Sequence, residues 1–307
     1  MCISIAPVSF GNTVTGLYEA DPKTHVIFYQ NVVSPTGASS QAAVSRSPRR
    51  RGASAPANWT GRKASGNALV IPIMTDDFKS IRLLAETAET PDLLADVRRA
   101  LQPPRRRSRG SLRGSKGMSD QVIIQQFDIY TLVLATRASL IPDAVKAVPA
   151  AKRPPLTREL FDQLETWYDC PFAVACFSDA EKGESKPVAY AYTPRYPDYF
   201  MIYTLDGHDG SVPDLDAVVD LDHTVFAGSY RMEGGSTVAY SDEIPAGLEK
   251  FVPRSVVGRA FPKGTRMVNG DIVVAVDDVV AGRFEAFRAV PPNAPEREPL
   301  TLANAQR

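Results

Sequence analysis

The chain has 307 residues, 44% hydrophobic and 23% charged, the proportions of an ordinary globular protein with a sizeable core. Its 35 basic and 35 acidic residues balance, yet 14 of the bases fall in two acid-free stretches, residues 34–66 and 98–117, so the remainder carries −14. Cys2, Cys170 and Cys176 form neither an even disulfide framework nor a CxxC pair, and no apolar run nears the roughly 18 to 20 residues of a membrane-crossing helix, which excludes a disulfide scaffold and a helical membrane protein.

Ile3 and Ile5 alternate with Ser4, and Gly11-Asn12 offers a turn before residues 13–18, which predicts an opening β-hairpin; a third strand follows at residues 25–33. Residues 34–66 are rich in Ser, Ala, Pro and Arg. They lack the apolar surface to offset the entropy of ordering and read as a disordered insertion. Residues 67–73 return to strand character, so the insertion is expected to separate two strands of one sheet. Thr90 as N-cap and Pro91 at the first helical position predict a helix through Leu93, Leu94 and Val97 that stops before Pro103. The second disordered insertion, 98–117, comes next.

Residues 121–141 are β-branched and aromatic, enough for one bent strand or two short ones, with Pro142 and Pro149 as breaks. Thr157 caps the clearest helix, in which Leu160, Phe161, Leu164, Trp167 and Tyr168 share one face at a 3.6 period. Strands then recur at 172–177, 187–193, 199–205, 224–230, 272–276 and 283–290 with few helices between them, which favours antiparallel pairing. The expected fold is α+β: one domain over residues 1–290, a largely antiparallel sheet with a few packed helices, and a disordered tail at 291–307.

Several common catalytic machines lack their residues. There is no Gly-Lys dipeptide for a phosphate-binding loop, no GxSxG elbow, and three histidines in no HExxH spacing. Cys2 is a positive candidate. If the initiator methionine is removed, this residue carries a thiol and a free α-amine together. With a reference pKa of about 7.7 to 8.0, the amine is suited to deprotonate the nucleophile at neutral pH without a histidine. The bland alternative is a small residue opening a buried strand.

The start Met1-Cys2-Ile3-Ser4-Ile5 resembles that of the choloylglycine hydrolase group of N-terminal-nucleophile hydrolases, whose mature first residue is Cys. That resemblance implies hydrolysis of a small amide substrate and gives Asp21 the role of the group's aspartate; the group's arginine has no counterpart before Arg46. A wider resemblance is to an uncharacterised family that starts with Met-Cys. It is carried by residues 67–72, residues 172–177, His208-Asp209-Gly210 and Asp222-His223.

His208, Asp209, Asp222 and His223 form a second candidate cluster, provided the strands ending near 205 and starting near 224 pair. Two imidazoles with carboxylates could bind a divalent transition metal, one histidine oriented by Asp could assist Cys2, or Asp-Gly-His-Asp-Gly could be a turn chosen for backbone geometry. No cofactor is implied.

The third candidate is the arginines: Arg49, Arg50, Arg51, Arg105, Arg106, Arg107 and Arg109 could hold a polyanion such as nucleic acid by counterion release. Trp59 is the one aromatic in these stretches, so base-specific reading is not expected. Two function classes stay open: a Cys2-dependent amide hydrolase, and a non-enzymatic binding or structural protein. The amino terminus lacks the features of a secretory signal, so the expected location is cytoplasmic, with nuclear or virion-associated placement as the alternative.

Overall fold

A computed structural model describes residues 2–3, 9–34, 66–102, 122–178, 183–207, 209–221, 223–292 and 300–301. Its strands in chain order are β1 (Cys2–Ile3), β2 (Ser9–Asp21), β3 (Thr24–Ser34), β4 (Gly66–Pro72), β5 (Arg82–Leu83), β6 (Val122–Phe127), β7 (Tyr130–Ala135), β8 (Phe172–Ser178), β9 (Gly183–Glu184) and β10 (Val188–Tyr192). There follow β11 (Tyr199–Ile202), β12 (Asp206–Gly207), β13 (Val218–Asp220), β14 (Thr224–Ser229), β15 (Ser236–Thr237), β16 (Ser255–Ala260), β17 (Arg266–Val268), β18 (Asp271–Ala275), β19 (Arg288–Val290) and β20 (Leu300–Thr301). The α-helices are α1 (Leu93–Ala100), α2 (Ile141–Ala144), α3 (Arg158–Tyr168) and α4 (Val276–Val280).

The fold is α+β with largely antiparallel sheets. An eight-stranded sheet runs β15-β16-β14-β2-β3-β10-β5, with β9 also on β3; β4-β8-β7-β6 and β11-β18-β19-β20 make two four-stranded sheets. Among the described residues the parallel pairings are β1 with β12 and β2 with β14.

Side-chain alternation along β3 sets the layers, because successive residues of a strand face opposite ways. Val26 and Phe28 join Leu93, Leu94 and Val97 of α1 in one apolar cluster, while Ile27 and Tyr29 join β4, β7 and β8 in the larger one. The Tyr130 hydroxyl donates to Asn31 Oδ1 at 3.0 Å, a buried bond that ties β7 to β3 across the two sheets. All seven residues of β4 and of β8 are buried, as expected of strands covered on both faces. Leu160, Phe161 and Leu164 of α3 belong to the same core, so the face expected from their spacing is the one that packs.

Four expectations are corrected. Gly11-Asn12 is no turn: β2 runs through it with a register shift between Gly11 and Val14, and the first hairpin turns at Pro22-Lys23. β4 does not share a sheet with β3, because its continuous apolar run pairs with β8 inside the core. Thr90 does not cap α1. Its hydroxyl donates to the Thr87 carbonyl, and the helix begins at Leu93 after Asp92, whose N–H is held by Asp242. Pro142 sits in the first turn of α2 rather than breaking the structure, a position where its missing N–H costs nothing.

The proposed insertions fall mostly outside the described residues, and so do Arg49, Arg50, Arg51, Arg105, Arg106, Arg107 and Arg109. Their edges are narrower than expected: Ser34 ends β3, Gly66 opens β4, and Arg98 and Arg99 belong to α1, where Arg99 pairs with buried Asp96. No described helix is long and apolar enough to cross a membrane.

Candidate functional site

The β1–β12 pair places Cys2 opposite Asp206 and Ile3 opposite Gly207. Two residues of strand cannot hold themselves in place, so the partner segment must be fixed by other means. It is fixed by side chains. The N–H groups of Thr204 and Leu205 donate to Asp271 Oδ1 at 2.9 and 3.0 Å, and that of Asp206 donates to Asn269 Oδ1 at 2.8 Å. Three consecutive amides are thus satisfied by two side chains standing two residues apart.

Asn269 Nδ2 returns a bond to the Asp206 carbonyl at 2.9 Å and another to the Asp214 carbonyl at 3.1 Å, so its carboxamide brackets both polar groups of one residue. The Thr204 hydroxyl donates to the Gly270 carbonyl at 2.8 Å. Beyond β12 the loop is closed from α3: the Thr157 hydroxyl donates to the Gly210 carbonyl at 2.9 Å. Thr157 stands at the N-cap position, as expected from sequence, but its side chain secures the loop and not its own helix.

Asp271 is fully buried, and Tyr168 donates its hydroxyl to Oδ2 at 2.6 Å. Burial raises the pKa of this carboxyl, while the bonds from Tyr168, Leu205 and Thr204 oppose that shift. Burial likewise lifts the Tyr168 phenol well above its ordinary value, with the Asp271 charge adding to the shift. A carboxyl with three donors in a dry site costs far more to disturb than an exposed one.

The sequence-predicted residues separate. Cys2 and the loop carrying Asp209 come together through β12; Asp209 Oδ1 accepts from the Ser211 N–H and hydroxyl at 2.9 and 2.6 Å, which is the turn role considered for it. His208 and Asp222 lie outside the described residues. The strands expected to pair here do not: β11 pairs with β18, while β14 lies between β2 and β16. His223 therefore sits, buried, beside the start of β14 in the eight-stranded sheet, with its carbonyl accepting from Phe261 N–H at 2.9 Å. Asp21 closes the β2–β3 hairpin, where its Oδ1 accepts from Lys23 N–H at 2.9 Å. Neither residue belongs to the β1–β12 pair.

Cys170 and Cys176 are buried, and burial pushes both thiols up to about 12, so neither is an activated nucleophile at neutral pH. Among the described residues no group of three metal-ligating side chains converges. Asn269, Asp271, Tyr168 and Thr157 are the site residues that sequence reasoning missed. The available signal was a polar Asn-Gly-Asp run ending directly in an apolar strand.

No protein-family model matches the chain, and no curated protein matches it. Among solved structures, the crystal structure of baculovirus P35 is similar with a TM-score of 0.40 and 12% identity, covering 74% of this chain and 67% of that one.

Proposed function

We propose that this chain is an N-terminal-cysteine hydrolase of amide bonds, with Cys2 as nucleophile. The observation that supports it is the register of β1: the residue singled out for thiol chemistry is paired with the loop singled out for carboxylates, 204 positions away, and that loop is clamped by Asn269 and Asp271. A nucleophile works only when held against its substrate within a fraction of an ångström. Asn269 and Asp271 are positioning residues in this reading.

Removal of Met1 frees the α-amine of Cys2. The amine takes the thiol proton, sulfur bonds to the amide carbonyl carbon, and the proton passes to the leaving nitrogen as the C–N bond breaks. Water then attacks the thioester, releasing a carboxylate and restoring the thiol. Every proton transfer is internal to Cys2, its substrate and water. The polyanion-binding alternative rests on arginines outside the described residues.

Intact-mass measurement comes first, since retained Met1 locks the α-amine in a peptide bond and ends the proposal. Given a processed chain, iodoacetamide should label Cys2 well before Cys170 and Cys176, with a rate rising through about pH 7.7 to 8.0. Cys2→Ala should abolish turnover of a panel of chromogenic acyl amides, and turnover that survives the substitution would assign the nucleophile elsewhere.

A further inference from the structure

A cavity of about 410 Å³ opens at the edge of the eight-stranded sheet, where β5 meets β10 and the short 3-10 helix Glu249–Phe251. Arg82 and Lys250 both line it, and both are stacked on a single ring: the guanidinium carbon of Arg82 lies 4.5 Å and Lys250 Nζ 4.6 Å from the centroid of Phe251. Thr24, Ser80 and Thr193 add hydroxyl groups to the wall. The Ser80 hydroxyl is committed to structure, donating to the Asp77 carbonyl at 2.6 Å and accepting from Thr193 N–H at 3.0 Å, which fixes the wall between β5 and β10.

Two like charges held by one ring repel each other, and the ring's negative face offsets this for each by only about 0.5 to 1 kcal/mol at an exposed site. Neither cation is in an ion pair among the described residues, and the cavity lining contains no carboxylate; Glu86 approaches the rim at Gly247. An anion in the cavity that both side chains line would offset the repulsion and pair with both. A monoanion leaves one charge uncompensated, whereas a dianion matches the pair. Arg supplies a planar fork and Lys a point charge, the combination that suits phosphoryl oxygens.

We propose that this cavity binds a phosphoryl group, carried by a small phosphate monoester or as inorganic phosphate, with Arg82 and Lys250 as its ligands and the Thr24 and Thr193 hydroxyls as secondary donors. The site uses no residue of the Cys2 loop, so it stands or falls independently of the hydrolase reading.

Calorimetric titration of the full chain with inorganic phosphate and with glycerol phosphate, at ionic strength held constant with chloride, tests it. Saturable binding of at least one is expected, and the tighter of the two names the source. Acetate should not compete at equal concentration. Arg82→Gln and Lys250→Gln should each weaken binding about tenfold, the loss of one charge-assisted contact, while the thermal midpoint stays within a degree or so of wild type because both side chains are exposed. Absence of saturation through the millimolar range would overturn the proposal. So would wild-type affinity in both variants, or competition by acetate as strong as by phosphate.

Discussion

His25, in β3, is 2% exposed, with its ring 4.8 Å from Phe200 and edge-on to Tyr192 at 6.2 Å. Burial lowers its pKa from 6.5 to about 4, opposed by a hydrogen bond to the Pro197 backbone and by the Asp21 charge. The folded chain therefore keeps this imidazole neutral where the unfolded chain protonates it. Below about pH 6.5 the unfolded state binds the extra proton, so stability falls as pH drops towards about 4 and levels off beneath. The upper bound on this loss is about 3 kcal/mol, from roughly 2.5 pKa units at 1.36 kcal/mol each. Urea unfolding of wild type and His25→Phe at pH 7 and pH 4.5 measures it. The variant should lose less stability between the two pH values, and parallel losses would show that His25 is not the titrating group.

At the scale of elements, the 204–206 segment is held against β1 by two side chains that flank Gly270. Asp271→Ala would strand two backbone donors and the Tyr168 hydroxyl in a dry site, which should cost about 3 kcal/mol or more. Asp271→Asn keeps an oxygen for the Thr204 and Leu205 amides and should cost about half as much. Denaturant midpoints give the two values, and hydrogen exchange at residues 204 to 206 reports whether the segment opens first. Equal losses in the two variants would mean that the amide bonds are not what Asp271 contributes.

Strand existence was legible in the sequence because alternation and β-branched runs act locally, and β3, β8, β10 and β14 fall within a residue or two of their expected spans. Pairing was not. Asn269-Gly270 is the dipeptide of a tight hairpin. Yet β17 and β18, which it joins, pair with β13 and β11. Its asparagine is spent on the Asp206 backbone instead, a choice visible only once a segment more than 60 residues away is in place. The same holds for β1. Two residues carry no register signal of their own, so an opening hairpin with β2 was the nearest local partner to infer, and the partner across the molecule at β12 was not.

The whole molecule is organised by the eight-stranded sheet, which lies between the two apolar clusters. Val14, Val26, Phe28 and Phe226 belong to the cluster that includes α1, while Leu17, Ile27, Tyr29, Val225 and Ala227, drawn from the same three strands, belong to the larger cluster that includes β4, β7 and β8. Gly16 shows how closely those strands fit. A Cβ there would lie 2.4 Å from the Phe226 ring and carbonyl, so the parallel β2–β14 pair depends on its absence. The basic stretches join these layers covalently, the first connecting β3 to β4 and the second connecting α1 to β6. Because strands of one sheet contribute to both clusters, neither cluster can come apart without exposing strands that the other needs. We therefore expect both to unfold together, as one domain over residues 1–290. Far-ultraviolet dichroism, near-ultraviolet dichroism and hydrogen exchange at Val97 of α1 and Val133 of β7 should follow coincident denaturant transitions. A chain of this length can populate intermediates, and the clusters are the units in which one would form. Loss of protection at Val97 well before Val133 would show that the α1 side separates from the β4-β8-β7 side, and would divide the chain into two cooperative units.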